Sequence, residues 1–196
     1  MYKKQMKFQK IICYLTLIAS ALVFVYSLGM MTDLYGNLYY LIPDPNDVST
    51  AYVPGAGLYY EMQPFNKALT IVGLVLIILS VFLFIMNTHS RRRYYIGNYI
   101  STGLIVVSGI GSSIWGIINV MNYRNIYLTT IDKTMLEKYL TTFKKDYVAS
   151  TFWLDINLVV FGLMIVASVL LVVNLIWKNK VTKEELALIA EGKEEK

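Results

Sequence analysis

The sequence predicts an all-α membrane protein: a four-transmembrane-helix bundle with both termini in the cytoplasm. Three observations predict it. Of 196 residues, 56% are hydrophobic and 16% charged, whereas a soluble domain carries about a quarter charged residues. Four apolar runs of about 20 residues or more divide the chain, each long enough to cross a hydrocarbon core about 30 Å thick. The basic residues gather at one set of run ends.

Residues 1–10 form a basic cytoplasmic segment with Lys3, Lys4, Lys7 and Lys10, and the first span covers 11–31. A basic start before an apolar run also describes a signal peptide. This run is longer than a signal core, no small-x-small site follows it, and Ile12 stands where a lipoprotein signal before Cys13 needs a small residue. It therefore reads as an uncleaved span.

Residues 32–66 are of different composition. They hold all four prolines (Pro43, Pro45, Pro54, Pro64), the turn Pro54-Gly55-Ala56-Gly57, and the tyrosines Tyr35, Tyr39, Tyr40, Tyr52, Tyr59 and Tyr60. Pro and Gly at this density predict an irregular extracytoplasmic loop rather than a long helix, with a short strand pair around 38–42 and 57–62.

The second span, 67–86, is almost purely Leu, Ile, Val and Phe. The basic turn 87–93, ending in Arg91, Arg92 and Arg93, is short enough to make the second and third spans an antiparallel hairpin. The third span, 94–121, is unlike the others. It carries Gly97, Ser101, Gly103, Ser108, Gly109, Gly111, Ser112, Ser113 and Gly116.

Residues 122–151 form a second extracytoplasmic loop. Thr134 and Glu137 make a capping box. Leu136, Leu140, Phe143 and Tyr147 then recur at helical spacing, which predicts an outer amphipathic helix leading into the fourth span. That span, 152–177, lies between Trp153 and Trp177, placed as interfacial aromatic belts place them. In the tail, 178–196, Thr182 and Glu185 repeat the capping signal and Gly192 suits a C-terminal cap. A short separate helix is expected there.

Four spans put both termini on one side. That side holds 12 of the 18 Lys and Arg residues. The other side holds Lys67, Arg124, Lys133, Lys138, Lys144 and Lys145 against seven acidic residues. Short loops rich in Lys and Arg stay in the cytoplasm, so the plasma membrane is crossed with both termini inside. The basic residues read as topology anchors, and a nucleic-acid partner is not expected.

Candidate sites follow from what is costly or unusual in lipid. Small residues let helix backbones approach closely, so Gly97, Ser101, Ser108, Ser112 and Gly116 mark a helix–helix interface, within the bundle or with a partner chain. Asp155 is the acidic residue inside an apolar run, and a carboxylate in lipid needs a partner. The outer end of the third span offers Arg124 and Asn119, so an Asp155–Arg124 pair or hydrogen bonds to Asn119 are expected. Tyr39, Tyr40, Tyr52, Tyr59 and Tyr60 suit either packing at the headgroup layer or an outer docking surface for a protein.

Other chemistry is thin. One cysteine, Cys13, allows no internal disulfide. One Cys and one His, His89, supply no usual zinc ligand set, and neither cofactor nor metal is expected. The glycines of the third span are intramembrane, which argues against a nucleotide loop. The topology resembles the broad tetraspan shape, but the Cys-Cys-Gly sequence and paired loop cysteines are absent. A small multidrug exporter would be shorter and carry a glutamate in its first helix.

The expected function is a non-enzymatic accessory or assembly subunit of a larger membrane transport complex, with lipid and other membrane subunits as partners. A small homo-oligomeric channel or carrier is the alternative, and a membrane enzyme of unrecognised type a third. Richness in Lys, Ile, Asn and Tyr fits a bacterial source.

Overall fold

The computed structural model describes residues 2–34, 54–55, 57–88, 96–132, 134, 151–190 and 192. These form four long helices. Helix α1 is Tyr2–Gly29, continued by a widened π-helical turn at Met30–Leu34. Helix α2 is Leu58–Thr88, α3 is Ile96–Thr130 and α4 is Phe152–Ala190. All four are long and apolar enough to cross a membrane. In hydrocarbon every backbone N–H and C=O must be satisfied within the protein, and a helix does this within one segment.

The helices form a ring in chain order. Helix α1 packs on α2 and α4, and α3 completes the ring against α2 and α4. One end of the ring holds Phe8, Gln9, Asn87, Ser101 and Trp177, with the Phe8 and Trp177 rings 5.4 Å apart. The opposite end holds Tyr26 and Trp153, with rings 6.3 Å apart, and Tyr123, whose hydroxyl donates to the Glu61 carbonyl at 3.2 Å. The first is the terminal end of the bundle and the second its loop end.

Helix α2 explains how the ring is packed. Met62, Asn66, Leu69, Gly73, Leu76, Ser80, Leu83 and Asn87 are all buried. Their spacing alternates four and three residues, the seam of a coiled coil. Large and small residues alternate along it, so neighbouring helices come close at each small one. At Gly73 a methyl group would lie 2.7 Å from Cα of Phe24, so α1 and α2 touch backbone to backbone there. Between the seams, Ile71, Ile78, Ile85, Val107, Ile118, Val159, Val166 and Ile176 are exposed. In water such a belt would aggregate; against lipid tails it is solvated.

Three boundaries differ from those expected. The stretch 58–62, expected as a strand, is the start of α2, and Pro64 lies inside that helix. An interior proline costs about 3 kcal/mol. Burial of Leu58, Met62 and Phe65, worth about 1.5–3 kcal/mol each, outweighs it, and Phe65 stacks between Trp115 and Tyr123 of α3. The turn before α2 is present: Gly55 has φ 85°, and Leu58 N donates to its carbonyl at 3.1 Å.

Helix α3 continues through residues 122–130, expected as loop, because Tyr127 is buried there and Ile131 follows it into the core. The tail helix is not separate. Helix α4 runs unbroken through Lys178 and Val181, both buried, since the segment has neither Pro nor Gly to stop it. It ends where Gly192, φ 71°, donates its N–H to the Ile189 carbonyl at 3.1 Å. The expected strand at 38–42 and amphipathic helix over Leu136–Tyr147 lie outside the described residues, as does most of the basic turn.

Candidate functional site

The terminal end of the bundle encloses a polar layer built from all four helices. On α1, Gln5, Gln9, Cys13, Thr16 and Ser20 follow three- and four-residue steps, so they share the inward face. All five are buried. Helix α2 adds Asn87, α3 adds Asn98, Ser101 and Thr102, and α4 adds Asn174 and Lys178, again all buried.

Hydrogen bonds join these groups across the helices. Gln5 Nε2 donates to Gln9 Oε1 at 2.9 Å and to Asn174 Oδ1 at 3.0 Å. Asn174 Nδ2 reaches Gln9 Oε1 at 3.5 Å. Gln9 Nε2 in turn donates to the Asn87 carbonyl, with Asn87 Oδ1 at 3.4 Å. Asn87 Nδ2 donates to the Leu83 carbonyl at 3.1 Å and to Ser101 Oγ at 3.4 Å. Buried amides in hydrocarbon are costly unless paired, and Gln5, Gln9, Asn87 and Asn174 each pair with a neighbour, while Asn98 Oδ1 accepts no hydrogen bond among the described residues.

Lys178 is the charged exception. It is 4% exposed, and its Nζ has no hydrogen-bond acceptor among the described residues. The ammonium sits 5.2 Å from the centre of the Tyr99 ring, a cation–π contact that offsets only part of the burial cost.

Towards the middle of the bundle the polar layer thins. Ser20 and Ser80 share a 2.7 Å hydrogen bond between α1 and α2. Beyond it Leu69, Leu76, Val120, Phe161 and Met164 fill the interior.

At the loop end, Arg124 Nε lies 2.6 Å from Asp155 Oδ1. Thr151 adds a partner beyond those expected: its Oγ1 donates to Asp155 Oδ2, while Asp155 N donates to the Thr151 carbonyl at 2.8 Å. Asn119 does not join them; its Nδ2 donates to the Trp115 carbonyl at 2.8 Å. The arginine and aspartate side chains are 39% and 45% exposed, and ion pairs that open are worth less than about 1 kcal/mol. Asp155→Asn is therefore expected to lower stability by less than about 1 kcal/mol in a detergent unfolding titration.

The small residues of α3 divide by helix face. Gly109 and Gly116 face α4: a methyl group on them would lie 2.6 Å from Met164 Cε and 2.5 Å from the Phe161 ring. Ser101 and Ser113 are also buried, Ser101 against Asn87 of α2. Ser108 and Ser112 are half-buried, one position out of phase. Their hydroxyls bond within α3, to the Leu104 and Gly109 carbonyls. Gly103 and Gly111 meet nothing within 4 Å. Gly97 lies in the first turn of α3.

Tyr39, Tyr40 and Tyr52 lie outside the described residues. Tyr59 and Tyr60 fall in the first turn of α2, and Tyr60 is exposed. Among the described residues no three His, Cys, Asp or Glu side chains converge on a metal position.

Fold and site together define a multi-pass α-helical membrane protein with a closed polar layer at one end of the bundle. No family model, curated protein or solved structure matches the chain.

Run composition does not mark the polar layer: Gln5 and Gln9 lie in the basic segment expected in the cytoplasm, and Lys178 lies among the expected topology anchors. The signal was present in the step pattern Gln5, Gln9, Cys13, Thr16, Ser20, which places five polar or soft groups on one face.

Proposed function

We propose that this protein is a non-enzymatic accessory subunit of a larger membrane transport complex, with both termini in the cytoplasm. The observation that carries the reading is the projecting end of α4. Beyond the buried Val181, residues Thr182 to Ala190 carry the helix about 13 Å further at 1.5 Å per residue. On that projection Leu186 and Ile189 are 55% and 59% exposed. They stand three residues apart on one face, the spacing with which a helix enters a partner's groove. The outward face of α3, with Gly103, Gly111 and the half-buried Ser108 and Ser112, offers a second flat surface suited to a partner helix in lipid.

The test is isolation of the tagged chain from its native membrane in mild detergent, with native mass analysis. A stoichiometric complex with other membrane chains is expected. Leu186→Asp combined with Ile189→Asp is expected to release those chains while leaving the thermal unfolding of the bundle unchanged. A lone monomer or homo-oligomer from the native membrane would overturn the reading.

Sidedness has its own test. In a Cys13→Ser background, a cysteine in place of Lys193 is expected to resist a membrane-impermeant maleimide in intact cells and to react after permeabilisation. Labelling of intact cells would reverse the orientation.

A further inference from the structure

We propose that the polar layer around Lys178 is a binding site for a phosphate-type oxyanion, supplied by an anionic phospholipid headgroup or by free phosphate. The first ground is the unbalanced charge. Lys178 is buried with its three N–H donors unused, and an ammonium out of water needs a counter-charge. Among the described residues no carboxylate pairs with it: Glu61, Asp132 and Asp155 lie at the loop end, and Glu184 and Glu185 lie about two turns further along α4.

The second ground is depth and field. Trp177 precedes Lys178 and stacks with Phe8, and tryptophan favours the headgroup level, where lipid phosphates lie. Lys3, Lys4, Lys7, Lys10, Lys180 and Lys183 are exposed around the same end, a collar that draws anions to it. The third ground is the chemistry of the wall. Four carboxamides, Gln5, Gln9, Asn87 and Asn174, supply further N–H donors, bonded at present to one another, and these can turn towards an oxyanion. Gln5 bonds to Asn174 and Phe8 meets Trp177 on the turn next to Lys178, so an anion would enter by displacing the first turns of α1 and, once bound, would tie α1, α3 and α4 together.

The experiment uses the full chain purified in a neutral detergent, with thermal unfolding read by tryptophan fluorescence. Inorganic phosphate is compared with chloride at equal ionic strength, and micelles doped with phosphatidylglycerol are compared with micelles doped with phosphatidylcholine. The wild-type midpoint is expected to rise saturably by about 5 °C with phosphate or with phosphatidylglycerol. A response to inorganic phosphate makes the phosphate group sufficient; a response to phosphatidylglycerol alone makes the lipid the ligand.

Lys178→Met removes the charge at similar length, so it is expected to fold with an unchanged or higher midpoint and to lose the response. Asn174→Asp places a carboxylate one helical turn from Lys178. It is expected to raise the midpoint without any added anion and to shrink the response. No rise with either probe, an equal rise in Lys178→Met, or an undiminished rise in Asn174→Asp would each overturn the proposal. An equal rise in the methionine variant would assign binding to the exposed lysine collar.

Discussion

Gly73→Val is expected to destabilise the bundle by about 3 kcal/mol, the upper range for overpacking. At this position the obstacle is backbone. Even a methyl group would lie 2.7 Å from Phe24 Cα and 3.0 Å from Phe24 N, and neither atom can move without shifting α1. That helix is held on both sides, against α2 and against α4, so relief at residue 73 disturbs packing along the ring. Gly116→Ala is the contrasting case. Its methyl group would meet the Phe161 ring, a side chain that can tilt, and a smaller cost of about 1–2 kcal/mol is expected. Unfolding in mixed detergent, with helicity as the readout, measures both. A loss at Gly73 no larger than at Gly116 would contradict the backbone contact.

Gln9→Leu is expected to cost about 2 kcal/mol, although leucine is the more lipid-like residue. The reason is what it leaves behind. Gln9 accepts from Gln5 and Asn174 and donates to the Asn87 carbonyl. Each buried polar group stripped of its partner costs about 1–3 kcal/mol. Polar pairs between membrane helices measure lower, about 0.6 kcal/mol on average; three affected partners bring the sum to about 2 kcal/mol. Combining Gln9→Leu with Gln5→Leu and Asn174→Leu is expected to recover part of the loss, because replacing partners together removes the orphaned groups. Strict additivity of the three substitutions would argue that the layer is not one network. The same unfolding assay decides it.

The two predictions touch different kinds of information. Gly73 is legible as a small residue in an apolar run, but the run alone does not say that Phe24 lies opposite it. The α2 seam, with Asn66, Gly73, Ser80 and Asn87 seven residues apart, is a sequence pattern that gains meaning once the ring order of helices is known. The polar layer was less legible. Its members come from positions 5, 9, 87, 98, 101, 174 and 178, each individually ordinary near the end of a span, and their meeting depends on three helix registers at once. Ser108 and Ser112 illustrate the converse. They fit a small-residue spacing, yet a phase difference of one residue turns them off the α4 contact that Gly109 and Gly116 make.

Helix ends followed the same logic. Pro64 and the capping sequence at Thr182 are local signals for a break, and both were overridden. At α2 the buried Met62 and Phe65 hold the helix through the proline, and at α4 the buried Lys178 and Val181 carry the helix past the interface.

By itself the sequence determined the four apolar helices and the membrane-spanning class, because hydrocarbon leaves an apolar run of that length a single economical backbone conformation and the run is counted directly. The tertiary structure alone decided the ring order, the true helix ends, which face of α3 meets α4, and the gathering of Lys178 with carboxamides from three other segments. Those depend on side-chain packing between residues far apart in the chain, where lipid provides no hydrophobic preference for one helix face over another and close fit and hydrogen bonding choose the arrangement.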